Sequence, residues 1–299
     1  MEHIYQRLCE IAGEYNVLQD ENMAKHTTFK AGGNANYFVE PDDETKLAKL
    51  IQYVNDEKIN YYIIGNGSNL LVRDEGFDGV IIKIGSKMSD IKVEGNEIIC
   101  QAGAFVSKLA GIACEKSLAG LEFAAGIPGM VGGAIAMNAG AYGGEFKDVV
   151  EKVWLLDGKG NQFCVENKDM DFGYRSSIVQ KENYIVTSVK LNLMNGNKGE
   201  IESKMAEYLK SRRDKQPLEY PSAGSTFKRP EGYFAGKLIM DAGLAGYTVG
   251  GACVSEKHCG FVINKNNATA KDIITLMDNV AEVVLNKFGV KLEPEVKII

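Results

Sequence analysis

The stretch AGIPGMVGGAIAMNAGAYGGE at 125–145 restricts the fold more than any other part of the chain. Glycine in ordered structure costs roughly 0.5–1 kcal/mol relative to alanine, yet here it recurs every few residues among apolar neighbours. Pro128 and the Gly132-Gly133 pair argue against a long regular helix. What remains is main chain stripped of side chains, which a flat or phosphorylated ligand can approach closely. Ile127, Pro128 and Gly129 offer a stiff apolar corner, Asn138 an amide, and Gly140 further bare backbone. Close packing of helices on small residues is the competing explanation; a nucleotide cofactor accounts better for the proline and the paired glycines.

A second stretch, IIGNGSNLLV at 63–72, has the same character. A β-rich run opens into Gly65-Asn66-Gly67-Ser68-Asn69, where successive N–H groups can converge on an anion as a nest, and Ser68 and Asn69 add side-chain donors. Gly65-x-Gly67 lacks the third glycine and following helix of a dinucleotide-binding fingerprint. Taken alone, the segment also reads as a plain turn.

Length and charge bound the rest. A chain of 299 residues makes one large domain or two to three smaller ones. The net charge of −6 argues against nucleic acid as the main partner but leaves room for an anionic small molecule. MEHIYQRLCEIAGEY lacks the apolar centre of a signal peptide, and no apolar run approaches the roughly 20 residues that span a bilayer. The expectation is a cytoplasmic protein with no membrane partner. Six cysteines form no CxxC pair, and Cys253, His258 and Cys259 are the only local cluster; thiols kept reduced, with no metal, are expected.

Along the chain, Leu47, Leu50, Ile51 and Val54 fall at helical spacing within 42–59, followed by β-rich runs at 61–65 and 80–84. IKVEGNEIICQAG reads as a hairpin turning at 94–96, and 104–120 as a helix ending at Gly120. A hairpin turning at Asp157-Gly158 and a strand at 183–193 follow, so 60–195 is mixed and β-dominated without regular strand–helix alternation. A charged helix at 199–217 connects to a small α/β tail. There, helices near 233–242 and 269–288 surround strands near 247–254 and 260–264, and KLEPEVKII forms a closing strand.

HTTFKAGG at 26–33, the two glycine-rich stretches, FGYRSS at 172–177, SAGSTFKRP at 222–230 and LEPEVKII at 292–299 resemble the motifs of the UDP-N-acetylenolpyruvoylglucosamine reductase family, also called UDP-N-acetylmuramate dehydrogenase. The blocks occur in the family's order and span nearly the whole chain. The resemblance implies an α+β fold. Its FAD-binding domain would be of the vanillyl-alcohol-oxidase-like (PCMH) type, with subdomains at 1–88 and 89–198. A connector helix at 199–217 would lead to a small α/β substrate-binding domain at 218–299, whose closing strand returns Glu295 to the flavin. It also implies NADPH-dependent reduction of UDP-N-acetylglucosamine enolpyruvate during peptidoglycan precursor synthesis, with the glycine loops along the FAD. The short connection between Arg175 and the strand at 184–193 is similar to the family's shorter class, without the tyrosine-bearing segment of the longer one. Lys30 replaces a common arginine, and Asn66 a glycine found in some members.

By its match to the family motif, Arg175 would face the carboxylate of the enol ether, where reduction builds negative charge; a guanidinium does not lose its proton in that role. From the residues alone a surface ion pair is the alternative. Ser225, in a loop of small residues, would donate the proton. Glu295, two residues from Glu293 on an extended segment, would share a face with it. Like charge and burial would then keep Glu295 protonated and able to bond the developing enolate. Lys215 and, more weakly, Arg212 are the candidates for the diphosphate, although basic residues in a last helical turn also complement the helix dipole. His258 is a further substrate candidate or an exposed structural histidine. Another FAD oxidoreductase of the same fold, or a non-catalytic nucleotide-binding sensor, are the readings that compete.

Overall fold

Buried apolar residues separate into two cores, each gathering its own stretches of chain. The computed structural model describes residues 2–299. One compact unit contains the residues up to Gln19, Tyr37–Gly65 and Gly79–Ser211; the other contains Asp20–Asn36, Asn66–Asp78 and Arg212–Ile299. A four-stranded sheet takes the order Val17–Asn22, Asn34–Val39, Phe77–Lys83, Tyr61–Ile64, and its last two strands run parallel with Tyr62 opposite Ile81.

In the first unit, α1 (Glu2–Ala12) precedes α2 (Glu44–Asp56). Asp43 caps α2 by accepting the Lys46 N–H at 2.7 Å, and Leu47, Leu50, Ile51 and Val54 form its buried stripe. An antiparallel sheet orders its strands as Gln162–Glu166, Val150–Leu156, Ile185–Asn192, Glu97–Gln101 and Ile91–Glu94. Both expected hairpins belong to it. The helix expected over 104–120 does not run that far: α3 (Val106–Glu115) stops early, Ser117 takes a left-handed φ of 58°, and Leu118-Ala119 pairs as a short strand with Met194-Asn195. Pairing with a distant strand overrides the local helical pattern there.

The glycine-rich stretch resolves into the short helix α4 (Val131–Ala136), packed on the strands at 185–192 and 97–101. A left-handed Asn138 follows, then a hairpin turning at Tyr142-Gly143, with φ values of 53° and 87°. Positive φ at both central residues is the geometry of a type I′ turn. α5 (Ile178–Lys181) is brief, and α6 (Lys198–Lys215) carries the division at Ser211/Arg212.

The second unit adds α7 (Ala235–Asp241) and α8 (Ala270–Phe288) to a three-stranded antiparallel sheet of Thr248–Val249, Ala252–Val254 and Val262–Asn264. The final strand, Lys297–Ile298, pairs in parallel with Leu70–Leu71. α8 buries Ile273, Leu276, Met277, Val280 and Val284, and its start is tied twice. Thr269 and Asp272 form a reciprocal capping box. The Asp74 carboxylate also accepts from the Ala270 and Lys271 N–H groups, each at 2.8 Å. Asp74→Ala is therefore expected to cost about 1–2 kcal/mol, read as a lower urea midpoint with an unchanged slope.

Candidate active site and cofactor cavity

A cavity of about 540 Å³ opens within the first unit, inside the roughly 300–1,000 Å³ range of small-molecule sites. Its walls include Tyr61–Gly65, Ile185-Val186, Ala102, and Gly132, Gly133 and Ala136 of α4. The three glycines do different work. A Cβ on Gly132 would stand 3.0 Å from that of Ala102, and one on Gly65 would stand 3.2 Å from that of Met130, so these two let the walls close on each other. A Cβ on Gly133 would meet nothing within 4 Å. Main chain bare to an open cavity fits a large flat cofactor such as FAD, and Gly65, Gly132 and Gly133 are the residues that would hold it there.

The other glycines have internal reasons. At Gly140 a Cβ would stand 2.6 Å from the Gly144 carbonyl oxygen, and Gly144 lies against the Phe123 ring. Gly67 has a φ of 61° and abuts the His26 carbonyl. Ile127, Pro128 and Gly129 are not among the cavity walls; the Ile127 N–H donates to Ala124, and the Gly129 carbonyl accepts from Val106 at 3.1 Å. At the start of α4, the Val131 and Gly132 N–H groups donate to the Ala104 and Ala102 carbonyls, at 2.9 and 2.8 Å. Asn66, Gly67, Ser68 and Asn69 fall in the second unit. There the Asn69 amide donates to the Glu295 carbonyl at 3.0 Å, fastening the closing segment.

Asn138 departs from the expectation of an amide offered to a cofactor. It is fully buried, its Nδ2 donates to Gly173 O and Glu145 Oε2 at 3.1 Å each, and its Oδ1 accepts from the Lys147 N–H at 2.9 Å. Wall residues the sequence did not single out are Asn55, Tyr62, Ile84, Gln180 and Asn183. Tyr62 shows only as a β-rich residue in sequence, and burial pushes its phenol above the ordinary value, so it stays a neutral donor.

Arg175 is the second central residue of a tight turn in which Gly173 N–H donates to Ser176 O at 3.0 Å. Its φ of 54° is left-handed, a conformation costing a non-glycine residue roughly 1–3 kcal/mol and persisting where surroundings enforce it. The guanidinium donates to Gly140 O at 3.2 Å and lies 5.2 Å from the Tyr174 ring. Nearby, Glu145 is held below the usual carboxylate range by its hydrogen bond to Lys147, with Asn138 and the charge of Arg175 adding to the effect against the cost of burial.

Ser225 and Glu295 come from distant sequence yet occupy facing segments of the second unit. Phe227 bridges Pro294, the Glu295 N–H donates to Thr226 O at 2.9 Å, and the Lys228 N–H donates to Glu293 O at 2.8 Å. Thr226 is anchored further, its Oγ1 accepting from the Val262 N–H at 2.8 Å. Ser225 itself is exposed beside a left-handed Gly224, while Glu295 is half-buried. The Glu293 carboxylate, expected on the same face as that of Glu295, lies 3.4 Å from Lys228 Nζ.

His258 packs edge-on against Phe261, and its Nδ1 accepts from the Gly260 N–H at 3.1 Å. Burial pulls its pKa down, so the imidazole is neutral with its proton on Nε2. Lys215 is exposed at the end of α6 and Arg212 is half-buried. Among the described residues, no group of three or more metal-binding side chains converges, and no helix is long and apolar enough to cross a membrane.

Fold and cavity, with the matches that follow, define a mixed α/β flavoprotein, an FAD-dependent oxidoreductase. Residues 35–165 match the FAD binding domain family, and 216–299 match the C-terminal domain of UDP-N-acetylenolpyruvoylglucosamine reductase. The UDP-N-acetylenolpyruvoylglucosamine reductase of Caldanaerobacter subterraneus subsp. tengcongensis is 51% identical over 298 residues, covering 100% of this chain and 98% of its own. That of Agathobacter rectalis is 54% identical over 96% of this chain and 95% of its own. The crystal structure of the Thermus caldophilus enzyme superposes with a TM-score of 0.81 at 34% identity, over 94% of this chain and 97% of that one. The glucose dehydrogenase Phl p 4.0202 shares the fold alone, with a TM-score of 0.54 at 15% identity over 65% of this chain and 44% of its own. The chain belongs to the UDP-N-acetylenolpyruvoylglucosamine reductase family.

Proposed function

We propose that this protein reduces UDP-N-acetylglucosamine enolpyruvate to UDP-N-acetylmuramate with NADPH as the reductant, in the cytoplasm, as a step of peptidoglycan precursor synthesis. The subdomain division at 88/89 and the assignment to the shorter class belong to the same proposal. What carries it is the register that sets the Ser225 loop against the closing segment: Glu295 N–H to Thr226 O, and the Asn69 amide to Glu295 O. These bonds tie the segment after Ser225 and the Asn69 amide, 226 positions away, to the backbone of Glu295.

Bound FAD supplies the hydride chemistry. The chain supplies charge, protons and orientation. Reducing the terminal vinyl carbon drives electron density onto the adjacent carboxylate, and Arg175 stabilises that charge without being able to deprotonate. Ser225 delivers a proton to the carbon bearing the ether oxygen, and Glu295 hydrogen-bonds the enediolate-like oxygen. Lys215 and Arg212 neutralise the diphosphate, and His258 presents Nε2–H to the substrate. The half-buried Glu295 is held through its backbone on both sides, its N–H on Thr226 O and its carbonyl on the Asn69 amide.

Product analysis tests the reading. Incubation with NADPH and UDP-N-acetylglucosamine enolpyruvate is expected to give a product heavier by two hydrogens, and in deuterated water the carbon bearing the ether oxygen is expected to carry deuterium. Recovery of unchanged substrate from flavin-replete protein overturns it.

A further inference from the structure

Three non-glycine residues with left-handed backbone, Asn138, Tyr142 and Arg175, lie within two short segments that are clipped together. On one side of the Arg175 turn, the Asn138 amide donates to Gly173 O at 3.1 Å. On the other, Ser177 Oγ and Gln180 Nε2 both donate to Ala136 O at 2.8 Å, and Gln180 also reaches Arg175 O at 3.5 Å. The guanidinium then closes the loop on Gly140 O. Both ends of the turn are thus referenced to the last residue of α4 and the few that follow it, and both Asn138 and Ser177 are fully buried.

We propose that Asn138 is a positioning residue for Arg175: its amide, clamped between Gly173, Glu145 and Lys147, holds the Gly173–Ser176 turn in the strained conformation that aims the guanidinium. This rests on the role proposed for Arg175. Gly173 O has Asn138 at 3.1 Å and Ser176 N–H at only 3.4 Å, so the amide is its shorter contact. Relaxing Arg175 toward an ordinary φ would swing a long side chain about its own Cα. Displacements of about 1 Å at a reacting group cost on the order of 10²-fold in rate.

Asn138→Asp is the informative change. Aspartate matches asparagine in size, tolerates left-handed φ, and keeps the acceptor for the Lys147 N–H. It replaces the NH₂ group with an oxygen facing Gly173 O and the Glu145 carboxylate, turning two attractions into repulsions. In anaerobic stopped-flow, reoxidation of the flavin by UDP-N-acetylglucosamine enolpyruvate is expected to slow at least about 10-fold, with reduction by NADPH changed less than about 3-fold and FAD content retained. Hydrogen–deuterium exchange over 172–178 is expected to rise. On an Arg175→Ala background the Asn138→Asp effect should shrink below about 3-fold, because the two act through one interaction.

Equal loss in both half-reactions, or an undiminished effect on that background, overturns the positioning role and makes Asn138 merely structural. Slow reoxidation in Arg175→Ala with normal rates in Asn138→Asp overturns the proposal alone. Normal reoxidation in Arg175→Ala overturns the reading of Arg175 as well. Should Asn138→Asp fail to fold, Ser177→Ala, which leaves Gln180 on Ala136 O, is expected to show the same one-sided pattern; equal rates in both half-reactions there overturn the proposal.

Discussion

Replacing Ser225 with alanine is expected to slow reoxidation of reduced flavin by UDP-N-acetylglucosamine enolpyruvate at least about 10²-fold, while NADPH reduces the flavin at close to the normal rate. The asymmetry follows from chemistry: the substrate half-reaction needs a proton placed on carbon, and the NADPH half-reaction does not. Ser225 is exposed and its neighbour Thr226 is anchored on two sides, at Gly260 O and the Val262 N–H. The substitution removes a hydroxyl without loosening the loop, so normal rates in both half-reactions would point to a different donor.

Gly133→Leu is expected to abolish flavin binding without unfolding the walls of the cavity that Gly133 lines. A side chain built at Gly133 meets no protein atom within 4 Å at its Cβ and extends into the cavity that Gly133 lines. Leucine also favours helix over glycine by roughly 0.5–1 kcal/mol, so the flavin-free variant should melt no lower than flavin-free wild type. The expected result is a colourless protein whose FAD dissociation constant has risen at least about 100-fold, on the order of 3 kcal/mol, measured by fluorescence titration. Retained yellow colour would place the cofactor elsewhere. A comparable change at Gly140 carries no such information, since a Cβ there strikes the Gly144 carbonyl whether or not flavin is bound.

Local patterns announce most elements. The Leu47, Leu50, Ile51, Val54 stripe states its geometry within a few residues; the hairpin after Leu156 is announced too, although its loop runs over 157–161 with Gly160, not Gly158, at left-handed φ. Long-range exchange of partners does not. Nothing near Asn69 signals that its amide fastens Glu295, 226 positions away, nor near Asn264 that its amide holds Phe29 O, 235 positions away. For the same reason Asp20–Asn36 and Asn66–Asp78, early in the chain, pack with the C-terminal core. In the candidate site, the glycine pattern pointed to bare backbone, and the structure divides it: Gly133 faces open space, whereas Gly140 and Gly144 are demanded by packing. Asn138 looked like a ligand donor because a lone amide among glycines has no local partner in sequence; its partners Gly173 and Glu145 are supplied by folding.

The most direct measurement is the visible spectrum of the purified protein through one anaerobic cycle. The protein should be yellow, bleach on addition of NADPH, and regain its colour when UDP-N-acetylglucosamine enolpyruvate is added. Bleaching that persists in the presence of that substrate would contradict the account.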